Sequence, residues 1–104
     1  MEYAVLCWDG LDVASKREHY YPDHRNHLNK AEEYGVAVVL AGPLTADDEH
    51  TPIGSLFVIE SERRENVQSF VQSDPFSINA VWARTEVAGF LRKRGVLPTY
   101  PTLL

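Results

Sequence analysis

The sequence predicts a single α+β domain of β-α-β-β-α-β order, the ferredoxin-like arrangement in which two helices cover one face of a four-stranded antiparallel sheet. Three observations carry that expectation. Stretches dense in β-branched and aromatic residues occur four times, at 3–8, 36–41, 53–60 and 82–91. Two stretches of helical period, 22–34 and 62–73, follow the first and third of them. The chain has 104 residues, and single cores commonly contain about 100 to 150. The domain is expected to span residues 1–94, with 95–104 as an extended C-terminal tail.

The first strand stretch ends at Asp9-Gly10, a common turn pair. From Leu11 to Tyr21 the pattern is mixed, and Ser15 to Glu18 allow a helical turn before Pro22. Tyr21 precedes proline, which pushes it out of the α region and predicts a bend. The main helix is expected to start at Pro22, whose fixed φ suits a first helical position, with Asp23 complementing the positive end of the dipole. Gly35 fits the left-handed position that closes a helix. Tyr21, His24, Leu28 and Ala31 are spaced three, four and three apart, so they share one face and His24 points with the apolar side.

Residues 36–41 are nearly continuously apolar, as expected of a strand covered on both sides. The polar stretch 45–52 is a solvent loop, and 53–60 returns as the antiparallel partner. Ser61 is placed to cap the second helix, whose apolar face is Val67, Phe70 and Val71, with Asp74 next on that face. Asp74-Pro75 ends the helix, a short irregular or single-turn segment follows over 76–81, and 82–91 forms the last strand. The tail holds two prolines and no helical period, which suits an extended arm. Two helices leave the other sheet face bare, and an identical subunit is its natural cover, so a homodimer is expected.

An apolar fraction of 44% and a charged fraction of 24% are those of a globular protein. A net charge of −5 argues against nucleic acid, because Arg92-Lys93-Arg94 is the only basic cluster. No apolar run approaches the roughly 20 residues that span a bilayer. The N-terminus lacks a signal peptide's basic region, so no membrane is expected and the cytoplasm is the expected compartment. The single cysteine, Cys7, lies in an apolar run and reads as a buried small residue in a reducing compartment, not as a nucleophile.

Four features bear on chemistry. His24, placed in the first turn of the main helix, would feel the positive dipole end and partial burial, and both favour the neutral imidazole that accepts a proton. The plainer alternative is a buried histidine satisfied by a backbone carbonyl. Asp74, at the C-terminal end of the second helix, faces the wrong end of the dipole, and a nearby His24 would compensate it. Its plainer alternative is a turn held by side-chain to backbone hydrogen bonding. If the two meet, the carboxylate orients the imidazole and stabilises its charged form, as in general acid-base catalysis. His24 and His27 lie about one turn apart, but a metal site needs three or four ligands, so no metal is expected. Gly42-Pro43 and the acidic loop after it read as a turn, and no phosphate loop, dinucleotide fingerprint or nucleophile elbow is present.

Pro22-Asp23-His24, the spacing to Gly35, Ala41-Gly42-Pro43-Leu44, Gly54-Ser55-Leu56 and Asp74-Pro75-Phe76 occur in an order that resembles the YCII-related (YciI-like) family of the dimeric α/β-barrel group. The resemblance runs from the first strand to about Phe90. It implies a ferredoxin-like subunit whose sheets pack across a two-fold axis, with a pocket near the start of the first helix. The family's proposed catalytic pair falls on His24 and Asp74. One characterised branch eliminates HCl from a chlorinated hydroxyquinone, and muconolactone isomerases share the fold class, so the resemblance implies proton transfer on small cyclic substrates. Two positions depart from the pattern. Tyr21 stands where the family often has a basic residue, and Asn79-Ala80 replaces the usual Ala-Gly, placing alanine where glycine accepts positive φ more readily.

The expectation is therefore a lyase- or isomerase-like enzyme without metal or organic cofactor. His24 moves a proton on a small cyclic or carbonyl-bearing ligand, Asp74 orients it, and Tyr20, Tyr21, Ser55 and Phe76 wall the pocket. Two alternatives are a non-catalytic metabolite-binding or accessory dimer using the same pocket, and a purely structural dimer whose pocket is filled by side chains.

Overall fold

The computed structural model describes residues 1–95. Their elements are β1 (Glu2–Asp9), α1 (Ala14–Leu28), a 3-10 turn (Ala31–Tyr34), β2 (Val36–Thr45), β3 (Pro52–Ser61), α2 (Arg64–Gln72), the one-turn α3 (Pro75–Ile78) and β4 (Trp82–Phe90). The strands form one antiparallel sheet in the order β2-β3-β1-β4, so the chain has the expected ferredoxin-like α+β fold. Of the expected tail only Gly95 is described, and 96–104 lie outside the described residues. Among the described residues no helix is long and apolar enough to cross a membrane.

Alternation along the central strands separates two faces. Tyr3, Val5 and Cys7 of β1 and Phe57 and Ile59 of β3 point toward the helices and are buried against Val67, Phe70, Val71 and Phe76. Ala4 and Leu6 pair with Val58 and Leu56 on the opposite face and are only half-buried. Three register shifts interrupt this phase, one of them at Ile53, which is extra in β3 between the partners of Leu44 and Thr45. Ala83 is an extra residue of β4, since Trp8 pairs with Arg84 but Asp9 with Trp82, and Val39 is an extra residue of β2 between the partners of Ile59 and Val58. The bulge at Ala83 turns Trp82 onto the helix-covered face, where it is 5% exposed.

The first helix differs most from expectation. It begins at Ala14, contains Pro22, and ends at Leu28, with the 3-10 turn carrying the chain to Gly35 at φ +72°. Pro22 removes one helical hydrogen bond, a cost of about 3 kcal/mol in a helix interior. His24 and His27 are buried on the same helix, and the packing of that face holds the helix through the proline. The helix-start signal of Pro22-Asp23 is thus overridden by tertiary contact.

Two smaller corrections follow from position in the sheet. β2 is an edge strand, so 36–41 is half-exposed along much of its length and not covered on both sides. Ser61 does not cap α2, whose N-terminal position is Arg63. Its hydroxyl instead lies 3.0 Å from Gly35 O, tying the end of β3 to the turn before β2. Arg92, counted in the basic cluster, pairs with Glu2 across the start of β1.

Candidate active site

The site is built where one face of α1 meets the sheet. Arg17 and His24 are seven residues apart, two helical turns, so they project along the same stripe. His24 is 7% exposed and lies in the interior of α1, which removes the dipole argument made for a first-turn position. Its Nδ1 lies 2.7 Å and 2.9 Å from the two carboxylate oxygens of Asp74. The ring stacks on Phe76 at 4.2 Å between centroids and 9° between planes, with the edges of Trp82 and Phe57 closing around it. Ring position and tilt are therefore fixed by aromatic packing as well as by the carboxylate.

Asp74 is 1% exposed and is the N-cap of α3, accepting from Phe76 N at 2.8 Å. The expected conflict with a helix C-terminus does not arise, because the side chain turns away from α2 to the start of the next helix. Pro75 suits the first position of α3, so Asp74-Pro75-Phe76 is at once a cap and the seat of the His24 contact. An ionised carboxylate only accepts, so His24 Nδ1 donates to it and holds the proton of the neutral ring. Nε2 has no protein partner among the described residues. Since no buried side-chain nitrogen or oxygen lacks a partner there, Nε2 is open to the space beside it.

That space is a cavity of about 990 Å³, at the upper end of the range for small-molecule sites. Asp9, Arg17, Tyr21, His24, Ser55 and Phe57 contribute to its lining. Ser55 and Tyr21 are thus at the wall. Tyr20 and Phe76 are not among the lining residues: Phe76 is fully buried behind His24, and Tyr20 packs against the core. Asp74 also stands behind His24 and reaches the cavity only through it.

The sequence reading missed Arg17. Its Nη1 lies 2.7 Å and 2.9 Å from the oxygens of Asp9, and its Nη2 donates to Gly54 O at 3.1 Å and to Ser55 Oγ at 3.0 Å. The guanidinium also sits 4.9 Å from the Phe76 centroid. Burial pushes the Asp9 carboxyl up from the usual carboxylate range, and Arg17 opposes the shift by attraction and hydrogen bonding. The two-turn spacing to His24 would have revealed Arg17, had the helix been read as starting before Pro22. Trp82 was missed because only the bulge at Ala83 turns it inward, and no residue pattern marks that bulge.

The other histidines do not join the site. His27 takes the plainer role considered for His24, its Nε2 lying 2.7 Å from Phe70 O with the ring stacked on Phe70. Among the described residues no group of three or more His, Cys, Asp or Glu is arranged to hold a metal ion.

Comparison with solved structures finds the 5-chloro-2-hydroxyhydroquinone dehydrochlorinase TftG from Burkholderia phenoliruptrix AC1100, in complex with 2,5-dihydroxybenzoquinone. It is 25% identical over 89% of this chain and 96% of that one, with a TM-score of 0.77. The protein At3g17210 from Arabidopsis thaliana matches over 92% of this chain and 98% of its own at 13% identity and a TM-score of 0.50, a likeness of fold alone. Comparison with curated proteins finds no match. The model of the YCII-related domain matches residues 1–91, a span that holds the four paired strands and both partners of the His24–Asp74 contact. The chain belongs to the YCII-related domain family.

Proposed function

We propose that the chain is a small-molecule enzyme of lyase or isomerase type, in which His24 moves a proton on a small cyclic or carbonyl-bearing substrate and Asp74 orients it. The observation that carries this reading is the contact between His24 Nδ1 and the Asp74 carboxylate, which selects the tautomer. With Nδ1 2.7 Å from an Asp74 oxygen and donating its proton there, the lone pair of Nε2 faces the cavity as a base. When Nε2 takes a proton, the imidazolium that forms lies against a carboxylate that stabilises it. The likeness to TftG, a dehydrochlorinase of a hydroxylated ring, supports the same class of substrate for this chain.

The test offers 5-chloro-2-hydroxyhydroquinone to the protein and measures chloride release. The parent is expected to turn over, and His24→Ala to lose about a hundredfold to ten-thousandfold, the usual contribution of a positioned acid-base group. Asp74→Asn is expected to lose rate while the ¹⁵N shifts of the His24 ring move toward the Nε2–H tautomer. Equal rates in the parent and His24→Ala would remove His24 from the chemistry. A ring that binds the parent without turnover favours the second reading, a metabolite-binding or accessory dimer.

The bare face of the sheet supports a homodimer. Leu6 and Leu56 pair at its centre, and Leu40 and Phe90 extend it at 37% and 41% exposure. Two copies packed through these faces would bury apolar surface that water otherwise covers.

A further inference from the structure

Ser55 is 3% exposed, lines the cavity, and has an unusual hydrogen-bond account. Its Oγ lies 3.0 Å from Arg17 Nη2 and 3.2 Å from Trp82 Nε1. A guanidinium and an indole have donors and no acceptor, so both partners donate to Ser55. A hydroxyl has two lone pairs and one hydrogen. Both lone pairs are occupied, and the one remaining capacity of Ser55 is to donate. No described protein atom accepts that hydrogen. Neither partner can take the proton of Ser55 away, so this is not an activated nucleophile.

We propose that Ser55 is the donor that binds an acceptor oxygen of the ligand, held in that role by Arg17 and Trp82. The proposal rests on the reading of the cavity as a site of proton transfer by His24, and it narrows the ligand class. The ligand bears a carbonyl oxygen conjugated to the position that loses a proton. In the step, the bond from that position to hydrogen breaks and Nε2 of His24 takes the proton. The electron pair moves through the conjugated system onto the oxygen, and Ser55 donates a hydrogen bond to it while keeping its own proton. No oxidant or reductant takes part. The hydrogen bond from the Arg17 guanidinium polarises the Ser55 hydroxyl and strengthens its donation as charge develops. Asp9 offsets the net charge of Arg17, whose Nη1 and Nη2 are engaged within the protein. The ligand oxygen is thereby offered the hydroxyl.

The experiment measures binding of 2,5-dihydroxybenzoquinone and of its oxygen-free analogue 1,4-dimethylbenzene to the full chain by NMR titration. Ser55→Ala is expected to weaken quinone binding tenfold or more and to leave the hydrocarbon unchanged. Ser55→Cys, which retains a weak donor, guards against a folding failure of the alanine variant and is expected to weaken quinone binding severalfold. Quinone affinity within threefold of the parent in a folded Ser55→Ala or Ser55→Cys overturns the proposal. So does a parent that holds the quinone no more tightly than the hydrocarbon. Chloride release separates the two readings. Turnover that falls in His24→Ala but keeps its rate and KM in Ser55→Ala overturns the role of Ser55 and leaves that of His24. Quinone binding that depends on Ser55 in a protein without turnover does the reverse.

Discussion

Asp74 and Cys7 are the two buried ionisable groups whose settings differ most. Asp74 has its two oxygens shared between His24 Nδ1 and the backbone N–H of Phe76, so its burial is matched by hydrogen bonds. Cys7 is fully buried on β1 beneath the same cluster, and the carboxylates of Asp74 and Asp9 stand near it. Burial, then those two charges, push its thiol far above the ordinary value of 9.0, with Arg17 opposing. The folded protein therefore keeps the thiol proton at pH values where the unfolded chain has released it. Stability is undiminished by this group below pH 9 and falls as the pH rises beyond it, because the unfolded state then binds fewer protons. Urea midpoints of the parent should hold steady from neutral pH to about 9 and decline above it, and Cys7→Ala should remove that decline. A parent profile identical to that of Cys7→Ala above pH 9 would refute the account.

At the scale of elements, the turn from α3 to β4 fixes where the site's aromatic residues stand. Val81 N bonds Phe76 O at 2.9 Å and Ala80 N bonds Ser77 O at 3.2 Å, the pair of bonds of a Schellman motif, with Val81 and Phe76 both fully buried across it. The motif needs a left-handed residue after the C-cap, and here that residue is Ala80 at φ +57°. Holding alanine there costs about 1–2 kcal/mol. Ala80→Gly relieves that cost but returns about 0.4–1 kcal/mol to the unfolded chain as entropy. The net expectation is a stabilisation of about 0.5–1 kcal/mol, read from the urea midpoint at unchanged m-value. Loss of stability would mean that Ala80 is not strained. The same stretch then bulges at Ala83, so one short segment delivers Asp74, Phe76 and Trp82 to a single histidine.

For the whole molecule, the helices and the bare sheet face have opposite demands. The helix side encloses the core and the cavity wall, while the open side leaves Ala4, Leu6, Leu56 and Val58 only half-covered on the central strands. If two copies pair through that face, a charge at its centre must separate them, since a buried unpaired ammonium costs several kcal/mol. Sedimentation of the parent should give twice the chain mass, and Leu56→Lys should give the chain mass with its far-ultraviolet circular dichroism preserved. A parent that sediments at the chain mass at micromolar concentration would end the dimer reading. The cavity lies on the helix side, so the mutant also tests whether binding there needs the pair.

The sequence by itself determined the four strands and their order, and it named His24 and Asp74 as a candidate pair. Alternation and β-forming residues are local signals that survive in any context, and Asp74-Pro75 marks the end of a helix through its own backbone preferences. The helix boundary and its electrostatics were not local. Pro22-Asp23 has the form of a helix start, yet packing of the buried face carried α1 through it and moved His24 from a helix end to its interior. Only the tertiary structure decided which basic side chain each carboxylate meets. It paired Asp9 with Arg17 and Asp74 with His24 through contacts between residues as far as 50 apart in sequence. It also decided that Trp82 faces inward, because a bulge of one residue reverses the face of every side chain before it, and that reversal leaves no mark in residue type.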